Sequence, residues 1–548
     1  MTVMDSAVAK QGTVFLPLRF GAGLHTSKDE GQIDASECAV GSYNFDLGID
    51  STSWKPRPAF DLAATAPNAA EIRGFCEYIA SDGSVSLLVQ AGGNVYDWDG
   101  ESTFSLVGTV PAGSKIRGNR FSTSVLDGYV IITDLEQQAT VRTYDGTTFS
   151  ELSTSLSGDF LARYCLVDKE RAMFAGVKSG GTQTDHVVVA SAVSASISAS
   201  AVGTLSTSNR PSSSLGTGDA FYIPMPDLKP VNGILAAFGL ILISTENGSV
   251  YKLTGSDAKD YALDPFYPDS ASSGREAMVT LYSDVLFGPH GRIESLVNTQ
   301  AFGDVEPDDV SRWVSDQFED VQGWTIKYNP RTRKAYLWAE NGNEVWVFHK
   351  SVFDRNLTTG GNVSPWSKYV TDFGDGDFRQ TAAEVLRHPA SKLDYTYFGN
   401  ASGQIFRMEG VGIQDGGTTD VVSRRISGRI ECPWTPSVPV DHSLGMVNGY
   451  VRYKKSADAT LTMTALRGGV ELNDNSVTKV LDGFADADVF SGDAWFGGDF
   501  YFGVKFDGRV AQQSYQFAGR SQFFQLQTSI TGAEFEVPEI GVQFEVGT

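Results

Sequence analysis

Cysteine, histidine and positive charge are all scarce in this chain. Its four cysteines, Cys38, Cys76, Cys165 and Cys432, lie far apart in 548 residues and form no C-x-x-C pair or Cys/His cluster. That spacing speaks against a zinc framework or a disulfide scaffold and for free thiols in a protein folded in a reducing cytoplasm. The six histidines, His25, His186, His290, His349, His388 and His442, include no H-E-x-x-H or H-x-H pair, so no zinc site is expected. Neither a G-x-S-x-G elbow nor a phosphate-cradling G-x-x-x-x-G-K loop is present. Lys and Arg total 43 against 66 Asp and Glu, a formal charge of −23. A surface of that sign repels phosphate and argues against tight nucleic-acid binding, while remaining compatible with a wall past which DNA slides without sticking. Long apolar runs are missing too. The most apolar stretch, "GILAAFGLILIS" at 233–244, is too short to span a bilayer and reads as one or two buried strands broken at Gly239. The opening residues lack a basic segment followed by an apolar one, so no signal peptide is expected.

What the chain has in quantity is glycine (58), phenylalanine (33) and tyrosine (20). Aromatic side chains fit pleated surfaces and glycine supplies positive φ, a mixture suited to many short strands joined by tight turns. Two stretches echo each other: "NVYDWDGESTFSLVG" at 94–108 and "TVRTYDGTTFSELS" at 140–153, each setting an Asp-Gly turn between strand-like runs. Similar units recur along the chain. Their central apolar residues, Val95, Val141, Val187, Val250, Ile293, Val345 and Ile405, are separated by 46, 46, 63, 43, 52 and 60 residues. A period near 45 with insertions matches one four-stranded blade, so an all-β fold is expected: a β-propeller of five to seven blades. Within it, "PDDVSRWVSDQFEDV" at 307–321 places Val310, Trp313, Val314 and Phe318 at helical spacing, which predicts a short amphipathic helix packed on the sheets. The Ser/Ala-rich segment 191–218 cannot support its own core and reads as a long surface loop ordered by a neighbour. From about 420 the strands lengthen and lose the blade spacing. The expected division is therefore 1–420, an N-terminal segment and propeller, and 421–548, a β-sandwich.

Catalytic signatures are weak. "DFGDGD" at 372–377 has Asp-Phe-Gly without the other kinase elements; Asp372, Asp375 and Asp377 could gather around calcium, but the spacing departs from the EF-hand pattern and a solvated turn is the simpler reading. Glycoside hydrolysis is the serious enzymatic alternative, since two carboxylates suffice and acids are everywhere. The turns at 97–102 and 143–149 are reminiscent of the sialidase Asp-box with one residue fewer. Tyr96, Trp98 and Tyr144 could line a glycan-binding rim, or could simply pack within strands. No residue is assigned a catalytic, cofactor-binding or metal-binding role, and no cofactor is expected.

The order of features resembles the β-propeller structural proteins of double-stranded DNA phage tails, especially the nozzle or tail-tube proteins of short-tailed phages. The resemblance runs over most of 35–415. It rests on "ECAVGSYNFDLGIDSTSWKPRPAF" with Asn44 and Arg57-Pro58, on "DHVVVASAVSAS" and "GLILISTENGSVYKLTG", and on "SSGREAMVTLYSDVLFGPHGRIESL" with Gly288 and Gly291. The segment 307–321, "YNPRTRKAYLWAENGNEVWVFH" and "SPWSKY" with Trp366-Ser367 complete it. The resemblance implies a non-enzymatic virion protein, folded in the host bacterial cytoplasm and assembled as a homo-oligomeric, hexameric ring. Its partners would be other tail proteins (adaptor, fibre or tailspike), with DNA passing through the ring channel unrecognised by sequence, and no membrane-spanning segment. The alternative is a carbohydrate-binding or glycoside-hydrolysing propeller on a tail or cell surface.

Overall fold

The computed structural model describes side chains for residues 23–27, 42–47, 57–80, 82–118, 130–193, 203–246, 249–267, 276–282, 284–296, 308–339, 342, 344–360, 362–370 and 379–410; further strands before 57, at the margins of these ranges and after 410 are described by backbone alone. Cys38, Cys432, His442 and the possible calcium cluster at Asp372, Asp375 and Asp377 lie outside the residues described with side chains.

Short alternating runs bounded by turn residues fold here into antiparallel meanders of four strands, and seven such blades are present among the described residues. Each begins with its innermost strand: Ile72–Ile79, Ile116–Phe121, Phe160–Asp168, Val231–Ala237, Met278–Leu281, Trp324–Asn329 and Ala382–Arg387. These seven strands follow one another around an axis, and Ala382–Arg387 returns to lie against Ile72–Ile79. The first two blades are also joined through a parallel pairing of Arg117 with Phe75, which makes one continuous eight-stranded path.

All seven apolar markers read from the sequence fall on, or one residue before, the third strand of successive blades. The propeller therefore has the upper number of the expected range. The apolar run 233–244 forms the inner hairpin of the fourth blade, Val231–Ala237 against Leu240–Thr245, turning at Phe238-Gly239 as expected.

The seventh blade takes its outer strand from far upstream. Ala59–Thr65 pairs antiparallel with Gln404–Gly410, with Thr65 opposite Gln404 and Ala59 opposite Gly410. Phe60 from this strand is buried against Phe398, ring centroids 5.5 Å apart and edge to face, and the Arg57 guanidinium lies 4.0 Å over the Phe60 ring. Chain closure is thus secured by aromatic packing as well as by a sheet ladder.

Beyond the propeller, two antiparallel sheets make up the C-terminal sandwich. One combines Ser427–Glu431, Phe524–Gly532, Ala459–Arg467 and Val470–Leu481. The other centres on Ser443–Lys455 and Phe535–Gly547, and it also takes in Thr13–Leu18, in register from Thr13 with Glu545 to Leu18 with Ile540. The N-terminal segment is therefore divided between the two units: Thr13–Leu18, Phe45–Leu47 and Trp54–Pro56 belong to the C-terminal sheet and Ala59–Thr65 to the seventh blade.

The expected helix over 307–321 is absent. The fifth blade's outer strand, Asp304–Asp309, runs into the segment, and only Ser315–Gln317 forms a single 3-10 turn. Val310, Trp313, Val314 and Phe318 are nonetheless all buried. Phe318 meets Trp324, Trp346 and Trp366 edge to face, so an irregular turn satisfies the same apolar positions that a helix would have. Among the described residues the α-helix is Lys350–Thr359, between the third and fourth strands of the sixth blade, ended by Gly360 in the left-handed conformation.

The Ser/Ala-rich loop joins the third and fourth strands of the third blade. Its described part, 203–219, is held from within the subunit. The fully buried Arg171 donates to the carbonyls of Ser191 at 2.7 Å and Asp219 at 2.8 Å, and to that of Thr217. The expectation that a neighbour orders this loop is corrected over those residues, because a buried guanidinium organises them.

Candidate functional site

The two echoing Asp-Gly turns join the third and fourth strands of the first and second blades, and their acids serve the backbone. Asp99 Oδ1 accepts from the amides of Glu101 and Thr103 at 2.8 and 3.0 Å, and Asp145 Oδ1 from those of Thr147 and Thr148 at 2.9 and 2.7 Å. Gly100 and Gly146 have φ of +85° and +93°. A Cβ at Gly146 would fall 2.6 Å from Tyr78 Oη, and one at Gly100 2.7 Å from Pro389 Cδ. Each turn thus presses on the inner hairpin of the preceding blade, where only glycine fits. Tyr144 Oη donates to Asp97 Oδ2 at 3.0 Å and ties the two echoes together directly. Tyr96, Trp98 and Tyr144 are core residues, which decides for strand packing over a glycan rim.

A cavity of about 860 Å³ opens on the face where the inner strands begin. Its wall alternates in sign, with Arg73, Lys115 and Arg163 interleaved with Glu71, Glu136 and Glu246. One step farther along the strands, three cations and two carboxylates converge. Glu276 accepts from Lys327 Nζ at 2.7 Å, pairs with Lys115 at 3.1 Å, and is also bound by Arg117. Lys327 reaches Glu384 at 2.9 Å, and Arg117 lies 3.7 Å from the same carboxylate. Blades two, six and seven are joined in this way to the residue that leads into blade five. Burial raises the Glu276 carboxyl, but the charges of Lys327, Lys115 and Arg117 outweigh it and hold the group well below the usual carboxylate range. No local pattern signals this network, because its members lie up to 269 positions apart (115 to 384) with no motif among them.

A second buried polar cluster brings serine, histidine and aspartate together. His349 Nε2 is 2.8 Å from Ser367 Oγ and 3.8 Å from Asp46 Oδ1. Nucleophilic catalysis needs the serine and the carboxylate on opposite ring nitrogens, whereas both are at Nε2 here, and Ser367 is wholly buried. The Asp46 carboxylate is instead engaged by Lys334 and Tyr369 Oη. Burial brings the His349 imidazole down to about 4; Asp46 pulls the other way, and Lys334 adds to the lowering. This cluster is a structural tie between the N-terminal segment and the sixth blade.

Of the remaining histidines, His25 and His388 are buried, and His388 Nδ1 accepts from the amides of Ala390 and Ser391 in a turn. Cys76 and Cys165 are buried free thiols, pushed up by burial. No group of three or more His, Cys, Asp or Glu residues with metal-binding geometry occurs among the described residues. No helix among them is long and apolar enough to cross a membrane.

The fold and this site define a seven-bladed β-propeller with a polar axial funnel and an ion-paired network beneath it. No protein-family profile matches the chain, and no characterised protein matches its sequence. Among solved structures, the computationally designed Ika8 protein is 13% identical, with 64% of this chain and 99% of that one covered and a TM-score of 0.35. The extracellular domain of the putative one-component system BT4673 from B. thetaiotaomicron is 11% identical over 65% of this chain and 40% of that one, with a TM-score of 0.39. The WD40 domain of Toxoplasma gondii coronin is 11% identical over 67% and 86%, with a TM-score of 0.35.

Proposed function

We propose that the protein is a structural component of a phage tail, a subunit of a homo-oligomeric nozzle or tube ring of six copies. In the assembled virion the ring would form part of the channel through which genomic DNA is retained and ejected. It would also be a platform for adaptor, fibre or tailspike proteins. The observation that carries this reading is the stitching of the N-terminal segment into both units: Thr13–Leu18 in the C-terminal sheet and Ala59–Thr65 in the seventh blade. A body whose two units share one segment through in-register ladders resists being pulled apart, which suits a component that bears load during ejection. In such a ring the DNA path would run between subunits, since a propeller bore crossed by Glu276, Lys327 and Glu384 offers no room for a duplex. The formal charge of −23 favours a channel wall with few attractive traps for phosphate.

Negative-stain imaging of the purified full chain tests the reading. Six-fold rings, or incorporation into tails when the chain is supplied to particles lacking it, are expected. A monomer that releases reducing ends from host polysaccharide would overturn it. That second reading, a sugar-binding or sugar-cleaving propeller, is favoured by one observation: Glu71, Glu136 and Glu246 all face the same funnel. Substituting these three glutamates by glutamine would abolish such release.

A further inference from the structure

The ion-paired network under the funnel does not balance. Lys115, Arg117 and Lys327 meet two carboxylates, Glu276 and Glu384, which leaves one positive charge in excess at the funnel floor. The neighbouring pairs of the wall, Arg73 with Glu71 at 2.9 Å and Arg163 with Asp185 at 3.5 Å, add one charge of each sign apiece and do not correct it. Lys115 opens this excess to the cavity. It forms part of the cavity wall, and its ammonium, which carries three donors, is paired with Glu276 at 3.1 Å. Three side chains of the same wall also hold a buried N–H that meets no acceptor among the described residues: Arg163 Nε, Trp324 Nε1 and Gln380 Nε2. All three are donors, and a buried donor left unanswered is costly.

We infer that the funnel floor is a binding site for a small oxyanion, a carboxylate or phosphate group received by Lys115 and Arg163 on the adjacent inner strands of the second and third blades. The ligand class follows from the two observations together. An acceptor-rich anion answers both the excess charge and the unpartnered donors, whereas a neutral sugar answers the donors and leaves the charge, and a metal cation answers neither. Size and the mouth of the funnel narrow the class further. A cavity of about 860 Å³ falls within the range of roughly 300–1,000 Å³ that small-molecule sites occupy. Glu136 and Glu246 stand at the mouth, on the turns between the second and third strands of the second and fourth blades. Their charge, added to the formal −23 of the chain, repels a polyanion and admits a single small group. The inference stands independently of the tail reading.

Isothermal titration of the full chain in chloride buffer at constant ionic strength tests it, with inorganic phosphate and glucuronate as probes and glucose as the neutral comparison. Wild type should bind at least one of the two anions saturably at a single site, and glucose not at all. Binding of phosphate alone identifies a phosphate site, and binding of glucuronate alone a carboxylate site. Arg163→Gln should weaken the binding on the order of tenfold, as the loss of a charge-assisted hydrogen bond does. Asp185 keeps its bonds from Gln137 and Gln183 in that variant, so the fold is retained, which circular dichroism checks. Gln380→Glu should weaken it as well, by setting a like charge beside the anion. Lys392→Gln removes an exposed cation from the opposite face, in the turn that follows the inner strand of the seventh blade, and should leave binding unchanged. No saturable binding of either anion overturns the inference. So does binding that both wall variants leave intact, or that Lys392→Gln weakens as much as they do. Glucose bound as tightly as glucuronate would also overturn it and would favour the sugar-binding reading, while the tail reading is untouched by any of these results.

Discussion

Lys327 Nζ donates to Glu276 Oε1 at 2.7 Å with both side chains almost wholly buried, 3% and 7% exposed. A cation that deep is costly to bury unless carboxylates meet it, and the two that meet Lys327 come from different parts of the ring. Replacing Glu276 by glutamine leaves three cations facing Glu384 alone. The expected outcome is a loss of about 3 kcal/mol in stability, read as a lowered urea midpoint with an unchanged slope.

The same carboxyl sets an acid limit. Its folded-state value lies well below the unfolded one, so the stability it contributes is complete above the ordinary glutamate range and is lost as pH falls below that range toward the folded value. Thermal unfolding measured downward from pH 5 should show a steep loss in wild type. Glu276→Gln should be less stable throughout and flatter in that range.

His349 acts in a separate window. Its folded-state value of about 4 lies below the ordinary 6.5, so the unfolded chain binds more protons between those limits. Stability contributed by the neutral imidazole is full above 6.5 and declines as pH falls toward about 4. A His349→Gln variant, which keeps a polar group beside Ser367, should lose this part of the pH dependence while retaining the acid limit set by Glu276.

Arg171 holds the long loop of the third blade through three backbone carbonyls. Arg171→Met removes those donors and leaves the carbonyls of Ser191, Thr217 and Asp219 unanswered, a cost of about 2–3 kcal/mol. Hydrogen exchange should rise across 203–219 more than in the neighbouring blades. Equal exchange in wild type and variant would show that the loop is held by other contacts.

Phe60 tests closure. Truncation to alanine opens a cavity between Ala59–Thr65 and Phe398, and a buried phenylalanine of this kind is worth about 3–5 kcal/mol. Protease cleavage ahead of the first blade should become faster in Phe60→Ala than in an equally destabilised variant elsewhere, such as Glu276→Gln.

The periodic part of the fold was legible from sequence because each blade repeats one local pattern, and Val95 through Ile405 mark the same third strand in every blade. Boundaries of that kind depend on alternation and turns, which are properties of neighbouring residues. The segment 307–321 misled for a related reason. Val310, Trp313, Val314 and Phe318 have to be buried, and helical spacing is only one way of burying them; Pro307 in a strand and a single 3-10 turn achieve it too. The closing role of Ala59–Thr65 and the meeting of Lys115, Arg117, Glu276, Lys327 and Glu384 depend on the ring itself, and no local pattern carries them. His349 and Ser367 come together for the same reason, and only their geometry shows that with Asp46 they do not form a Ser-His-Asp triad.

The pairing of Thr65 with Gln404 also imposes an order of events at the ribosome. A strand made early has to wait, unpaired, while more than three hundred further residues are synthesised, and the last blade cannot be completed until Gln404–Gly410 has emerged. Ring closure therefore waits until all seven blades have been made. During that interval the apolar face of Ala59–Thr65 is open to chaperones or to the wrong sheet edge, so the yield of native protein should depend more on elongation rate and chaperone supply than the finished propeller would suggest.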